Sequence, residues 1–125
     1  MKLVSSFETY DYFRRRVAKD IEEFWICGLR SDRSVIQSAC LFRGSVDQCM
    51  VHPRDVFRFA CLKNASAILV AHNHPVGDPT PSIEDNDVTR CLMTIAQVIQ
   101  IPLLDHIILG KNSYYSYSDK RIIRL

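Results

Sequence analysis

Six residues at 66–71, Ser-Ala-Ile-Leu-Val-Ala, run without interruption into His72-Asn-His-Pro75, and this junction constrains the fold more than any other stretch. The run is short and apolar enough to form a central strand. Side chains of an extended chain alternate faces, so His72 and His74 project to the same side at the strand's end. Gly77, Pro79 and Pro81 then break the chain over Val76 to Pro81, as turn-forming residues do. Ser82 opens a helix with Glu84, Asp85 and Asp87 in its first turn, where negative charge is favoured. Val88, Cys91, Leu92, Ile95 and Ile99 are expected to face inward, and Pro102 to end the helix. This strand, loop and helix return Asp85 to the neighbourhood of the two histidines.

At 125 residues the chain has room for one domain, residues 1–125, with a core that needs no disulfide or metal staple. Ser5 and Ser6 are candidate caps for a helix whose Tyr10, Phe13, Val17 and Ile21 share one buried face, ending near Glu22 and Glu23. Phe24 to Leu29 and Val35 to Phe42 read as a hairpin across the polar turn at 31–34. Pro53 is suited to a first helical turn, and the pattern through Leu62 predicts a second helix. Leu103 to Leu109 and Tyr114 to Tyr117 predict a closing hairpin, followed by a basic tail at Arg121 and Arg124.

Several classes fall away on composition. No apolar run has the length of a bilayer span, and the first residues lack a signal-peptide core, so a cytoplasmic protein without membrane contact is expected. The cysteines at 27, 40, 49, 61 and 91 form no paired spacing and are expected to be buried free thiols. A net charge of +2 is well short of the footprint of a dedicated nucleic-acid module.

Zinc takes histidine nitrogen and carboxylate oxygen, and a catalytic site keeps three protein ligands and one open position. His72, His74 and Asp85 fit that set, with one Zn2+ per chain. Separately, the pieces carry bland readings: Ser82-x-x-Asp85 as a helix cap, and His-x-His as loop residues beside prolines. His52 before Pro53 reads as structural, and of the adjacent Asp105 and His106 at most one can point at the site.

Together, H-x-H-P, six residues, then S-x-x-D resembles the JAMM signature of the JAB/MPN metalloprotease superfamily. Phe42-Arg-Gly-Ser-Val, Val51-His-Pro-Arg-Asp, Asn64-Ala-Ser-Ala, Gly77-Asp-Pro-Thr-Pro-Ser82 and Leu104-Asp-His-Ile extend the resemblance to the bacterial RadC family, from about Glu22 to Ser118. The resemblance implies an α/β MPN fold, cytidine-deaminase-like, a curved mixed sheet flanked by helices. It implies zinc ligands His72, His74 and Asp85, an upstream glutamate as general base, and Ser82 as donor to the oxyanion. Glu22 is the expected base, with Glu23 as its rival. The implied activity is hydrolysis of peptide or isopeptide bonds in an unidentified peptide or protein substrate. Two other readings are a DNA-repair-associated nucleic-acid-binding module and an MPN scaffold without catalysis. RadC proteins commonly carry a helix-hairpin-helix region ahead of this domain, and its absence from this sequence counts against DNA binding.

Overall fold

The computed structural model describes residues 1–44 and 51–125. Its elements run α1 (Ser6–Arg14), β1 (Glu22–Leu29), β2 (Val35–Gly44), α2 (Pro53–Leu62), β3 (Ala67–Asn73), α3 (Ile83–Ile99), β4 (Leu103–Leu109), β5 (Ser113–Ser116) and β6 (Arg121–Arg124). The six strands form one mixed sheet in the order β2-β1-β3-β4-β5-β6. Among the described residues only β3 and β4 pair in parallel, and α3 is the crossover between them. This is the α/β MPN architecture expected from the sequence.

The alternation of side chains divides the core in two. Ala67, Leu69 and Ala71 of β3 join Tyr10, Tyr12 and Phe13 of α1 on one face. Ile68 and Val70 join Val56 and Phe57 of α2 and Leu92 and Ala96 of α3 on the other. In β1, Phe24 and Ile26 belong to the second face, and Cys27 and Leu29 to the first. Glu22 and Glu23, adjacent at the start of that strand, are therefore sent to opposite faces.

Four expectations are corrected. First, α1 stops at Arg14 with Arg15 as its C-cap, and Glu22 and Glu23 are buried strand residues instead of a helix end. The intervening backbone is held elsewhere: Ala18 N–H donates to Glu23 Oε1 at 2.8 Å, and the carbonyls of Ala18 and Ile21 accept from Asn73 Nδ2 at 2.6 and 2.9 Å. Second, the buried stripe of α3 is Thr89, Leu92 and Ala96, with Val88 and Ile95 partly buried and Cys91 and Ile99 exposed. A hydrophobic pattern overlooks a buried threonine. Third, Arg121 and Arg124 lie in β6, paired with β5, with Tyr114 opposite Ile123 and Tyr115 opposite Ile122. Fourth, of the cysteines only Cys27 is buried; Cys40 is half-buried, and Cys61 and Cys91 are exposed. Cys49 lies outside the described residues.

Glu23 clamps three segments. Its Oε1 also accepts from Trp25 Nε1 at 2.9 Å, and Oε2 accepts from Arg43 Nε at 2.6 Å. Burial pushes its carboxyl up, but the bonds from Ala18, Trp25 and Arg43 outweigh this and hold it below the ordinary 4.5. A depressed carboxyl contributes stability above its unfolded pKa and loses it as pH falls through the folded value. Replacing Glu23 by Ala leaves these donors without their acceptor and should cost about 3 kcal/mol at pH 7. Denaturant titrations should show that difference shrinking below pH 4.5.

Candidate metal centre

Strand β3 places His72, 1 % exposed, on the α2/α3 face one residue before its end at Asn73, and His74 follows directly after. The next turn brings α3 back so that Asp85 meets both. His72 Nε2 lies 2.9 Å from Asp85 Oδ1, His74 Nε2 lies 3.0 Å from Asp85 Oδ2, and the two Nε2 atoms are 3.2 Å apart. Phe24 of β1 pairs with His72, so Glu22, two residues earlier on the same face, comes beside His74. Ligand atoms of Glu22, His72 and His74 lie within 4.8 Å of one another.

The hydrogen bonds around these side chains assign the ring tautomers. Thr89 Oγ1 donates its single hydrogen to the Asp85 carbonyl at 2.8 Å. At 2.6 Å from His106 Nδ1, the same oxygen must accept, so His106 carries its hydrogen on Nδ1. His106 is fully buried, and burial first, then the neighbouring His72, lowers its pKa well below the ordinary range. Being neutral, it presents a lone pair on Nε2, and His72 Nδ1, 2.9 Å away, must donate to it. That leaves His72 Nε2 facing Asp85, and in the neutral ring this atom presents a lone pair. His74 Nδ1 lies 2.9 Å from the Asp78 carbonyl, which only accepts, so Nδ1 donates and in the neutral ring His74 Nε2 likewise presents a lone pair.

Three electron-pair donors thus converge on one point. Such an arrangement calls for positive charge at the centre, either a proton or a metal cation. Burial lowers His74, but bonding to Asp85 and the Asp78 carbonyl, with the charges of Asp85 and Glu22, raises it above its ordinary value. Burial would raise Asp85, yet the two histidines hold it far below the carboxylate range. For a tetrahedral ion bound at 2.0–2.2 Å, donors sit about 3.3–3.6 Å apart. The observed separations need to spread by only a few tenths of an ångström, and two neutral imidazoles with one carboxylate are a donor set that zinc accepts.

Ser82 is the N-cap of α3. Its Oγ accepts from Asp85 N–H at 3.0 Å, and its own N–H donates to Asp85 Oδ2 at 2.8 Å. The cap uses an oxygen lone pair, and no acceptor among the described residues takes the hydroxyl hydrogen. His52 stands away from this group as the N-cap of α2 and makes no side-chain capping bond. Asp105 faces away from His106 and accepts from Ser116 Oγ at 2.7 Å and Ser118 N–H at 3.0 Å.

Two supporting residues escaped the sequence reading. Asn73 accepts from Glu23 N–H at 2.8 Å while donating to Ala18 and Ile21, and so fixes the segment that carries Glu22. Thr89 orients His106 and, through it, His72. Partners that set a ligand's tautomer typically affect metal affinity by about 10- to 100-fold. Thr89→Val should weaken metal binding by about that factor, and Thr89→Ser should restore it, measured by competition with a chelating dye.

The model for the RadC-like JAB domain matches residues 3–122. The chain is 38% identical over 115 residues to a UPF0758 protein of Symbiobacterium thermophilum, covering 91% of this chain and 49% of that protein. It is 48% identical over 99 residues to one of Listeria welshimeri, covering 79% and 44%. It is 39% identical over 119 residues to one of Thermotoga maritima, covering 95% and 54%. The chain therefore spans about half the length of these relatives, whose names give a family and no activity. With this match along nearly its whole length, on a mixed six-stranded sheet with two histidines at the end of its central strand, the chain belongs to the RadC-like JAB domain family.

Proposed function

We propose that the chain is a zinc-dependent hydrolase of peptide or isopeptide bonds, with His72, His74 and Asp85 as ligands, Glu22 as general base and Ser82 as oxyanion donor. The observation that carries this reading is the convergence of three lone-pair donors at 2.9–3.2 Å beside a buried carboxylate. When bound, zinc lowers the pKa of water toward about 7 and polarises a carbonyl. Glu22, on the same face of the sheet as the histidines, takes a proton from the attacking water and returns it to the leaving amine as the C–N bond breaks. Ser82 donates its hydroxyl hydrogen, which no acceptor among the described residues takes, to the carbonyl oxygen as negative charge develops there. The two histidines keep Nε2 directed inward because Thr89, His106 and the Asp78 carbonyl hold the opposite edges of their rings, and the Ser82 N–H holds the Asp85 carboxylate.

The test is turnover by the zinc-loaded chain on a mixture of peptides and lysine-linked isopeptides, with products identified by mass spectrometry. Cleavage should vanish on treatment with a chelator and return with one equivalent of zinc. A fully loaded protein that cuts neither linkage would turn the reading toward a JAB scaffold without catalysis.

A further inference from the structure

Four aromatic rings form a row across the sheet beside α3, one from each of four neighbouring segments. Phe24 of β1 stacks on His72 of β3 at 5.9 Å between centroids, and His72 meets His106 of β4 at 5.1 Å. Tyr117, just after β5, lies flat on His106 at 4.9 Å with 15° between the planes. Phe24 also meets His106 edge-on at 5.7 Å, so the His106 ring has contact from the β1 side and from the β5 side. Tyr117 is itself held at both ends. Its backbone N–H donates to the His106 carbonyl at 3.1 Å, and its hydroxyl donates to Asn86 Oδ1 at 2.8 Å. Tyr115 stands edge-on against its ring at 5.0 Å. Asn86 directly follows Asp85 in the first turn of α3. One side chain thus touches both the ring that orients His72 and the residue next to Asp85.

We propose that Tyr117 is a positioning residue of the metal centre: its ring fixes the plane of His106, and through it His72, while its hydroxyl sets how far the Asp85 turn stands from the sheet. The proposal rests on His72, His74 and Asp85 as zinc ligands and uses no step of the hydrolysis proposed above. His72 and Asp85 come from different elements, joined through a loop with prolines at 75, 79 and 81. Their separation therefore depends on what spaces the helix from the sheet. A tyrosine suits that task, because its ring is rigid and packs on its faces while its far end hydrogen-bonds. The bond to Asn86 is solvent-exposed, so water replaces it readily and it adds little to stability. Its effect is on geometry. Thr89 holds the edge of His106 and Tyr117 covers its face, so the ring cannot turn away from His72 while both are in place.

The test titrates zinc alone against a chelating dye and records the ring-nitrogen NMR signals of the metal-free chain. Asn86→Ala and Tyr117→Phe remove the same hydrogen bond, and each should weaken zinc binding by up to about tenfold. Their combination should be no weaker than either alone, because one bond accounts for both losses. Melting of Asn86→Ala should not fall, since alanine favours an exposed helical position over asparagine. Both single variants should keep the wild-type signals of His106 and His72. Tyr117→Leu, which removes the stacked ring, should shift those signals and weaken zinc binding by about tenfold or more. Wild-type zinc affinity in Asn86→Ala and Tyr117→Phe would overturn the proposal, as would additive losses in their combination, or wild-type nitrogen signals in Tyr117→Leu. If Tyr117→Leu does not fold, the other two variants still decide. A wild type that takes up no zinc would defeat the ligand assignment instead, and the metal-free nitrogen signals would still decide the role of Tyr117.

Discussion

Asp85→Ala should fold and yet hold almost no metal, its content falling from about one ion per chain to near zero. Asp85 is the one anionic member of the triad and meets both imidazoles at once. Removing it leaves two neutral nitrogens, too few for a stable zinc site. The helix should survive, because Ser82 Oγ accepts from the backbone N–H of residue 85, which alanine retains. His74→Ala should lose metal as well, because one of the three donors goes, and should keep its fold, because the ring is only partly buried and little packing goes with it. Elemental analysis beside thermal melts separates loss of metal from loss of fold. The competing donor set is Glu22, His72 and His74. If Asp85→Ala kept its metal while Glu22→Gln lost it, that set would hold the ion and Glu22 could not serve as base. Metal occupancy should also fall in acid, because a proton on His74, whose pKa is raised, competes with the ion as pH drops.

The strand, loop and helix around the histidines were legible because three independent signals agree there: an apolar run, turn-forming prolines and glycine, and a serine cap followed by acidic residues. The same agreement was missing elsewhere. Strand β1 is buried on both faces, so it has no alternation to reveal that Glu22 and Glu23 point opposite ways. Val17 and Ile21, in the segment between α1 and β1, continue the apolar spacing of α1 and so hide the helix end at Arg14. The bend after α1 depends on Asn73 and Glu23, some 50 residues apart, and no local pattern encodes that pairing. The sequence of β6 reads as a basic tail because its two outer residues are arginines, although Ile122 and Ile123 between them complete the sheet. Thr89 and His106 sit in a core where a hydrophobic pattern expects apolar side chains. A buried polar pair of this kind must be satisfied, and here each satisfies the other.

Glu22→Gln should lower hydrolysis by about 10²- to 10⁴-fold, the usual contribution of a positioned general base, with metal content unchanged. Glutamine nearly matches glutamate in size and can still hydrogen-bond water, but it cannot take the proton. The neighbouring residue provides the control. Glu23 lies on the far face and binds Ala18, Trp25 and Arg43, so Glu23→Gln should lower stability and leave the rate per folded molecule within a few-fold of wild type. The two carboxylates are adjacent in sequence and chemically identical, and only the pleat of β1 divides them. A rate lost in Glu23→Gln and kept in Glu22→Gln would reverse the assignment of the base. A rate kept in both would remove a glutamate base from the reaction and leave the attacking water to be deprotonated by another group.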